Sequence, residues 1–199
     1  MSDIQVFDKL LPAAYSDQIE RDFNSLNFPW HYVNDVTNFN YGDNSGFVHL
    51  AYDLGKKPSE WYPFLLPIVY HITEASGHPM YELLRIRVGF LPQTTSQAYT
   101  HNTPHVDFTV PHYTACYYVN DTDGDTVLFD QMTKDMSSSE ISQTTIQDYV
   151  ANTEFTVANS VAPKRGSACF FNGLRYHSST KPKLHEKRMV ITVNYVSQR

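Results

Sequence analysis

The sequence predicts a mainly β protein, a sandwich or barrel with flanking α-helices. Beyond Pro79 the chain breaks into short runs of β-branched and aromatic residues, turn formers punctuate those runs, and helical periodicity is confined to two segments before residue 80. Several short strands without intervening helices argue for a closed or double-layered sheet, with the helices packed on it from outside.

The first helix is expected from Pro12 onward, where Leu11, Tyr15, Ile19, Phe23 and Leu26 recur at spacings of three and four. Proline suits a first helical turn because its missing N–H would have had no partner there. A second helical pattern runs through Trp61, Leu65, Ile68, Ile72 and Ala75 and stops at Gly77, with Pro63 and Pro67 predicting a kink or two shorter helices. Residues 31–57 read as strand and turn. Strands are then expected at Leu83–Leu91, Val106–Val110, Tyr113–Val119, Thr126–Phe129, Thr153–Ala158, Ala168–Phe171 and Met189–Val196, separated by Asn120–Gly124 and Asn172–Gly173 among other turns. The Ser/Thr-rich stretch Thr133–Gln147 reads as an insertion loop, either a cover for a barrel mouth or a plain connection.

One globular unit fits 199 residues that are 41% hydrophobic and 14% aromatic. A net charge of −6 disfavours nucleic acid, whose phosphates are gripped by basic surfaces. The two cysteines, Cys116 and Cys169, lie in apolar strand-like runs, outside any metal or disulfide spacing, which fits a reducing cytoplasm. Polar and acidic residues run through the first thirty positions, and no apolar stretch is long enough to cross a bilayer. The expectation is a soluble, unsecreted protein with no membrane partner.

The chemistry concentrates late in the chain. In Thr103-Pro-His-Val-Asp-Phe108, His105 and Asp107 are two apart in an extended segment, so both side chains leave one strand face and can converge on one ion. An imidazole and a carboxylate suit iron(II). Alone, His-x-Asp is weak, since a chain with nine histidines can carry a surface pair of this kind by chance. A third ligand must come from a distant strand, and His177 in Gly173-Leu-Arg-Tyr-His177 is placed for it, leaving other metal positions open. Arg188 opens the clear strand Lys187-Arg-Met-Val-Ile-Thr-Val-Asn-Tyr-Val196 and offers the fixed, bidentate cation that a dicarboxylate needs. Along that strand Arg188, Val190, Thr192 and Asn194 share the face that would line a pocket, while Met189, Ile191, Val193 and Tyr195 share the apolar one.

Four pieces in this order resemble the Fe(II)/2-oxoglutarate-dependent oxygenase superfamily, in its prolyl-hydroxylase-like branch, including small uncharacterised members from phages. They are Pro104-His-Val-Asp107; Tyr113-Thr-Ala-Cys-Tyr-Tyr-Val-Asn120 followed by Asp123-Gly-Asp-Thr126; Pro163-Lys-Arg-Gly166 leading into Phe170-Phe-Asn-Gly173 and His177; and Arg188-Met-Val-Ile-Thr-Val193. The resemblance covers roughly residues 82–197. It implies a single oxygenase domain whose double-stranded β-helix (jelly-roll, cupin-like) core spans 82–197, with 1–80 as an N-terminal helical support region. It further implies that His105, Asp107 and His177 bind Fe(II), that Arg188 pairs with the distal carboxylate of the co-substrate 2-oxoglutarate, that Tyr118 adds a hydroxyl hydrogen bond, and that Thr114 lines the pocket. O2 would take the last metal position, and a peptidyl or small-molecule substrate would be hydroxylated with release of succinate and CO2. Alternation puts Thr114, Cys116 and Tyr118 on one face and Tyr113, Ala115 and Tyr117 on the other, although a one-residue slip would substitute Tyr117 for Tyr118. In related halogenases a small residue stands at the position of Asp107, so a carboxylate there favours hydroxylation. Nucleic-acid dealkylases of the superfamily typically carry a second arginine where Asn194 stands.

Other residues read more plainly. His101 is a loop residue, since Pro104 breaks any helix that would align it with His105, and His112 falls in a turn. His185 lies in a lysine-rich turn and competes poorly with His177. The run Lys181-Pro-Lys-Leu-His-Glu-Lys-Arg188 is either an attractor of anions or a solvated hairpin turn. Arg85 and Arg87 share a strand face with no assigned role, and Trp30 and Trp61 read as helix anchors more than as a substrate platform. Two other classes compete with the oxygenase: a catalytically silent barrel serving as an interaction module, and a cupin-type metalloprotein, disfavoured because no His-x-His with a nearby Glu surrounds His105. Specificity is expected in residues 92–102 and 130–152.

Overall fold

A computed structural model describes residues 4–37, 44–95, 100–133 and 143–198. In chain order its elements are β1 (Ile4–Phe7), α1 (Ala13–Phe23), β2 (His31–Val33), β3 (Gly46–Asp53), α2 (Tyr62–Ser76), β4 (Met80–Pro92), β5 (Tyr113–Tyr118), β6 (Thr126–Met132), α3 (Gln143–Asn152), β7 (Val157–Val161), β8 (Ala168–Asn172), β9 (Arg175–Ser179) and β10 (Lys187–Ser197). The strands form a major antiparallel sheet, β1-β8-β5-β10-β4-β3-β2, and a minor one, β7-β6-β9. This is the double-stranded β-helix, or jelly roll, with helices outside it.

Strand alternation sorts the side chains into layers. From the major sheet, Ile86, Val88, Ala115, Tyr117, Phe170, Ile191, Val193 and Tyr195 pack with Ile19 and Phe23 of α1 and Leu65, Ile68, Val69 and Ile72 of α2. The opposite face sends Cys116, Tyr118, Cys169, Phe171 and Val190 against Leu128 and Val161 of the minor sheet. Beyond the minor sheet, Val127, Phe129 and Tyr176 pack with Ile146 and Val150 of α3. The cavity described below lies between the two sheets.

Several expectations change. The first helix starts as expected, with Pro12 at its N-cap, but ends at Phe23, and Leu26 stands 105% exposed. Phe28 takes the core place instead, with ring centroids 4.4 Å from Phe23 and 5.0 Å from Trp61. Both tryptophans serve this helix-anchoring cluster, and Trp30 donates its ring N–H to the Phe23 carbonyl at 3.2 Å. The second helix is continuous through Pro67 and closes on Gly77 at φ 70°, the left-handed conformation glycine allows. Pro67 removes only one N–H from a helix whose buried residues face the major sheet, and packing outweighs that loss.

Residues 106–110 are not a strand. His105 instead makes an isolated two-residue bridge to His177, with backbone hydrogen bonds of 2.9 Å in both directions. The strand expected at Thr153–Ala158 is shifted to β7, and β1 and β9 were not foreseen. Within the Ser/Thr-rich stretch, 143–147 belong to α3, while 134–142 lie outside the described residues, as do 96–99 of the expected specificity segment 92–102.

Candidate metal and dicarboxylate site

His105, Asp107 and His177 each offer a ligand atom, and these atoms all lie within 4.8 Å of one another. His177 is carried by β9; His105 is carried beside it by the backbone bridge, and its ring centroid is 4.5 Å from that of His177. Each imidazole is oriented by a backbone carbonyl, His105 Nδ1 at 3.0 Å from the Thr103 oxygen and His177 Nδ1 at 3.2 Å from the Arg175 oxygen. A carbonyl only accepts, so both Nδ1 atoms must carry the proton and both Nε2 atoms keep free lone pairs, the tautomer a metal ligand needs. His177 Nε2 lies 3.7 Å from Asp107 Oδ2.

Asp107 is fixed from the major sheet. Asn194 of β10 donates to its Oδ2 at 2.8 Å and to Thr114 Oγ1 of β5 at 3.0 Å. The Asn194 Oδ1 is buried without a hydrogen-bond partner, so the amide is oriented through its nitrogen alone. Thr114 Oγ1 also lies 3.3 Å from His112 Nε2. Arg85 approaches Asp107 Oδ1 at 3.9 Å, while its guanidinium stacks 4.3 Å from the Phe108 ring centroid. Burial opposes ionisation of Asp107, but the His177 and His105 rings, the Arg85 guanidinium and the Asn194 amide together hold its carboxyl below the usual range. Burial is also the largest influence on the histidines, pushing His177 down to about 4 and His105 below its ordinary value. Two neutral imidazoles beside one carboxylate form a donor set that suits a divalent iron with open positions.

Arg188 lies in the same cavity, 4% exposed. Its Nε donates to the Gly124 carbonyl at 2.7 Å and an NH2 to Thr126 Oγ1 at 3.0 Å. Tyr118 donates to the same Thr126 oxygen at 2.8 Å, with its ring 6.0 Å from the guanidinium. Glycine at 124 permits this approach, since a Cβ there would meet Arg188 Cδ at 2.8 Å and the Thr180 oxygen at 2.9 Å. A fixed guanidinium beside hydroxyls can receive a carboxylate through parallel N–H donors.

The walls include Arg87, Gly89, Cys116, Thr126, Ser178 and Thr192 besides the triad and Arg188. Thr192 lines the cavity as its strand face requires, opposite Cys116 of β5, whose thiol is pushed up to about 12 mainly by burial. Thr114, expected on the wall, is not among the residues lining the cavity; it accepts from Asn194, the amide that also donates to Asp107. Tyr118 reaches the cavity only through Thr126, whereas Tyr117 points away, donating to Ser16 Oγ of α1 at 3.0 Å. The register therefore selects Tyr118 as the tyrosine beside Arg188. Thr126 escaped the sequence reading; its only signal was the position directly after Asp123-Gly-Asp. His185 sits in the turn before β10, 2.9 Å from Asp123, and His101 packs edge-on to Phe129, so neither joins the triad.

No protein-family model matches the chain, and no curated protein matches it in sequence. Solved structures do match in fold. One is the non-haem α-ketoglutarate-dependent epimerase SnoN from nogalamycin biosynthesis, with TM-score 0.64 at 14% identity, over 98% of this chain and 78% of that one. Another is a 2OG-Fe(II) oxygenase family oxidoreductase from Burkholderia pseudomallei, with TM-score 0.63 at 10% identity, over 99% and 89%. A third is a prolyl hydroxylase from Trichoplax adhaerens, solved with a peptide of hypoxia inducible factor, with TM-score 0.61 at 13% identity, over 99% and 84%. At these identities the likeness is one of fold.

Proposed function

We propose that this protein is an iron(II)- and 2-oxoglutarate-dependent dioxygenase of the prolyl-hydroxylase-like kind, hydroxylating a peptidyl or small-molecule substrate with release of succinate and CO2. The observation that carries the reading is the placing of His105, Asp107 and His177 in one cavity with Arg188. The fold relatives support it, one of them, the epimerase SnoN, having been solved with Fe3+, α-ketoglutarate and nogalamycin RO. The buried free thiols of Cys116 and Cys169 fit a cytoplasmic setting, and no helix among the described residues is long and apolar enough to cross a membrane.

Iron(II) with 2-oxoglutarate and O2 supplies, when bound, the oxidation of an unactivated C–H bond coupled to decarboxylation of the co-substrate. The chain's part is to bind, orient and shelter. His105 and His177 present Nε2 from rings already fixed by backbone carbonyls, and Asp107 presents a carboxylate whose charge is held by Asn194 and Arg85. Arg188 receives the far carboxylate of 2-oxoglutarate, its guanidinium held by the Gly124 carbonyl and Thr126 Oγ1, with the Tyr118 hydroxyl donating to that same Thr126 oxygen. Val190, Leu91 and Phe90 contribute apolar wall to the cavity.

Calorimetric titration tests this directly. Mn(II), standing in for iron, should bind the wild type and fail to bind His105→Ala and His177→Ala. In the metal-loaded protein 2-oxoglutarate should bind, with affinity falling at least about tenfold in Arg188→Ala, the loss expected for a charge-assisted pair. If neither metal nor 2-oxoglutarate binds, the proposal fails. If both bind but no succinate forms with any substrate, the barrel is catalytically silent.

A further inference from the structure

Arg87 has no place in the chemistry above, yet it lies in the same cavity. It sits on β4 opposite Thr192 of β10, whereas Arg188 sits opposite Leu91, so the two arginines are separated by four residues of strand. That is about 13 Å along the sheet at roughly 3.3 Å per residue, more than a single carboxylate can bridge. Electrostatically Arg87 is coupled to His105 and Asp107, while Arg188 is felt by His177 of the same triad as well as by Tyr118 and Cys116. The separation rests on strand position: Arg87 and Arg188 line different stretches of one cavity.

The Arg87 guanidinium is poorly matched by its protein surroundings. The hydrogen bond it makes among the described residues is from NH2 to the Val36 carbonyl at 2.9 Å, and no carboxylate of the described residues lies within 4.0 Å of it. Asp107 and Asp35 are the nearest acids that influence it; the first is held by Asn194 and Arg85, and the second accepts from Thr37 at 2.7 and 2.6 Å. Arg85, one turn of the pleat away, has Asp53 at 3.3 Å and the Phe108 face, which Arg87 lacks. Arg87 is half-buried, and a partly desolvated guanidinium with donors unspent on protein groups is stabilised by an oxyanion that accepts two of them in parallel.

We propose that Arg87 is a second carboxylate anchor, at the metal end of the cavity, distinct from the one at Arg188. The inference rests on the functional reading above and narrows it: the cavity takes an anionic group close to the atoms that react. That group comes either from the primary substrate, which then carries a carboxylate near its reacting carbon, or from the metal-side carboxylate of 2-oxoglutarate.

Mn(II)-loaded protein separates the two sources, because bound Mn(II) speeds the proton relaxation of a small molecule held near it. With 2-oxoglutarate saturating, acetate should show this enhancement in the wild type and lose it, by about fivefold or more, in Arg87→Met; 2-oxoglutarate affinity would be unchanged, and the anchor belongs to the primary substrate. If instead Arg87→Met weakens 2-oxoglutarate by about tenfold and acetate shows no enhancement in the wild type, the anchor belongs to the co-substrate. Arg87→Lys, which keeps the charge but not the fork, should fall between, and it guards against a folding defect in the methionine variant. If Arg87→Met melts and binds Mn(II) like the wild type while both readouts stay unchanged, Arg87 is only a strut for Val36 and the proposal is overturned. Should the wild type bind no Mn(II), the functional reading fails by itself. The Arg87 Nε–H resonance of the metal-free protein then decides this one, a shift on adding acetate or 2-oxoglutarate supporting it and no shift overturning it.

Discussion

A buried imidazole that must stay neutral makes a folded chain sensitive to acid. Burial, and after it the adjacent His105 ring, push the His177 pKa from 6.5 to about 4, against the opposing pull of Asp107. In the unfolded chain the ring takes its proton near the ordinary value, so between pH 6.5 and 4 the unfolded state binds a proton that the folded state does not. The contribution to stability is fully present above about 6.5 and is lost as pH falls through about 4. The metal-free protein should therefore melt at progressively lower temperature from pH 7 to pH 4, and His177→Gln should flatten that slope; an unchanged slope in the variant would assign it to other groups. A second prediction at this scale concerns Asn194, which touches no metal. Its amide ties Asp107 to Thr114, and loss of a group that orients a ligand typically costs about 10- to 100-fold in metal affinity. Asn194→Ala should weaken Mn(II) by about that factor in calorimetry with the fold intact, whereas an unchanged affinity would show that Arg85 alone suffices to place the carboxylate.

Between β9 and β10 the chain turns tightly, and one carboxylate organises the turn. Asp123 accepts the backbone N–H groups of Lys183 and Leu184 at 2.9 Å and of His185 at 3.1 Å, with the His185 ring at 2.9 Å. The lysine-rich run is thus a hairpin turn tied to the loop that also carries Gly124. Asp123→Asn removes the charge from these bonds and should cost about 1–2 kcal/mol in chemical denaturation; a difference below a few tenths would mean that the turn holds itself. Gly124→Ala is the more diagnostic change, because its Cβ would collide with Arg188 Cδ and the Thr180 carbonyl. It should lower 2-oxoglutarate affinity while leaving Mn(II) affinity at the wild-type value, and equal losses of both would contradict the division of the cavity into two ends. The sequence announced β10 clearly, since Met189, Ile191, Val193 and Tyr195 alternate cleanly with Arg188, Thr192 and Asn194 and both faces have work to do. It did not announce α3 or the end of α1. Between Thr133 and Gln147 the composition of serine and threonine outweighed the few apolar residues, and Leu26 continued a helical rhythm that the chain abandons so that Phe28 can fill the core. The bridge of His105 to His177 was invisible for another reason: it is one residue pair long and has no period.

At the scale of the whole molecule, the triad joins pieces that no local pattern connects. His177 belongs to the minor sheet and His105 hangs on it through the backbone bridge, whereas Asp107 is held by Asn194 in the middle of the major sheet. The ligand types and their order were legible because chemistry restricts them to few residues. Their convergence was not, because it depends on how two sheets close on each other across residues far apart in sequence. A metal bound there would staple the sheets together, and binding only to the folded state stabilises it by about 2.7 kcal/mol when free metal is a hundredfold above its dissociation constant. For a chain of this length roughly 2–4 °C of melting temperature accompanies each kcal/mol, so Mn(II) at that excess should raise Tm by about 5–10 °C, and EDTA should reverse it. Each ligand variant separates a staple from a surface effect. His177→Ala and Asp107→Ala disconnect opposite sheets, so both should abolish the shift, while Arg188→Ala should keep it. A shift that survived loss of Asp107 would place the metal on the minor sheet alone, and one that survived all three substitutions would place it elsewhere on the molecule.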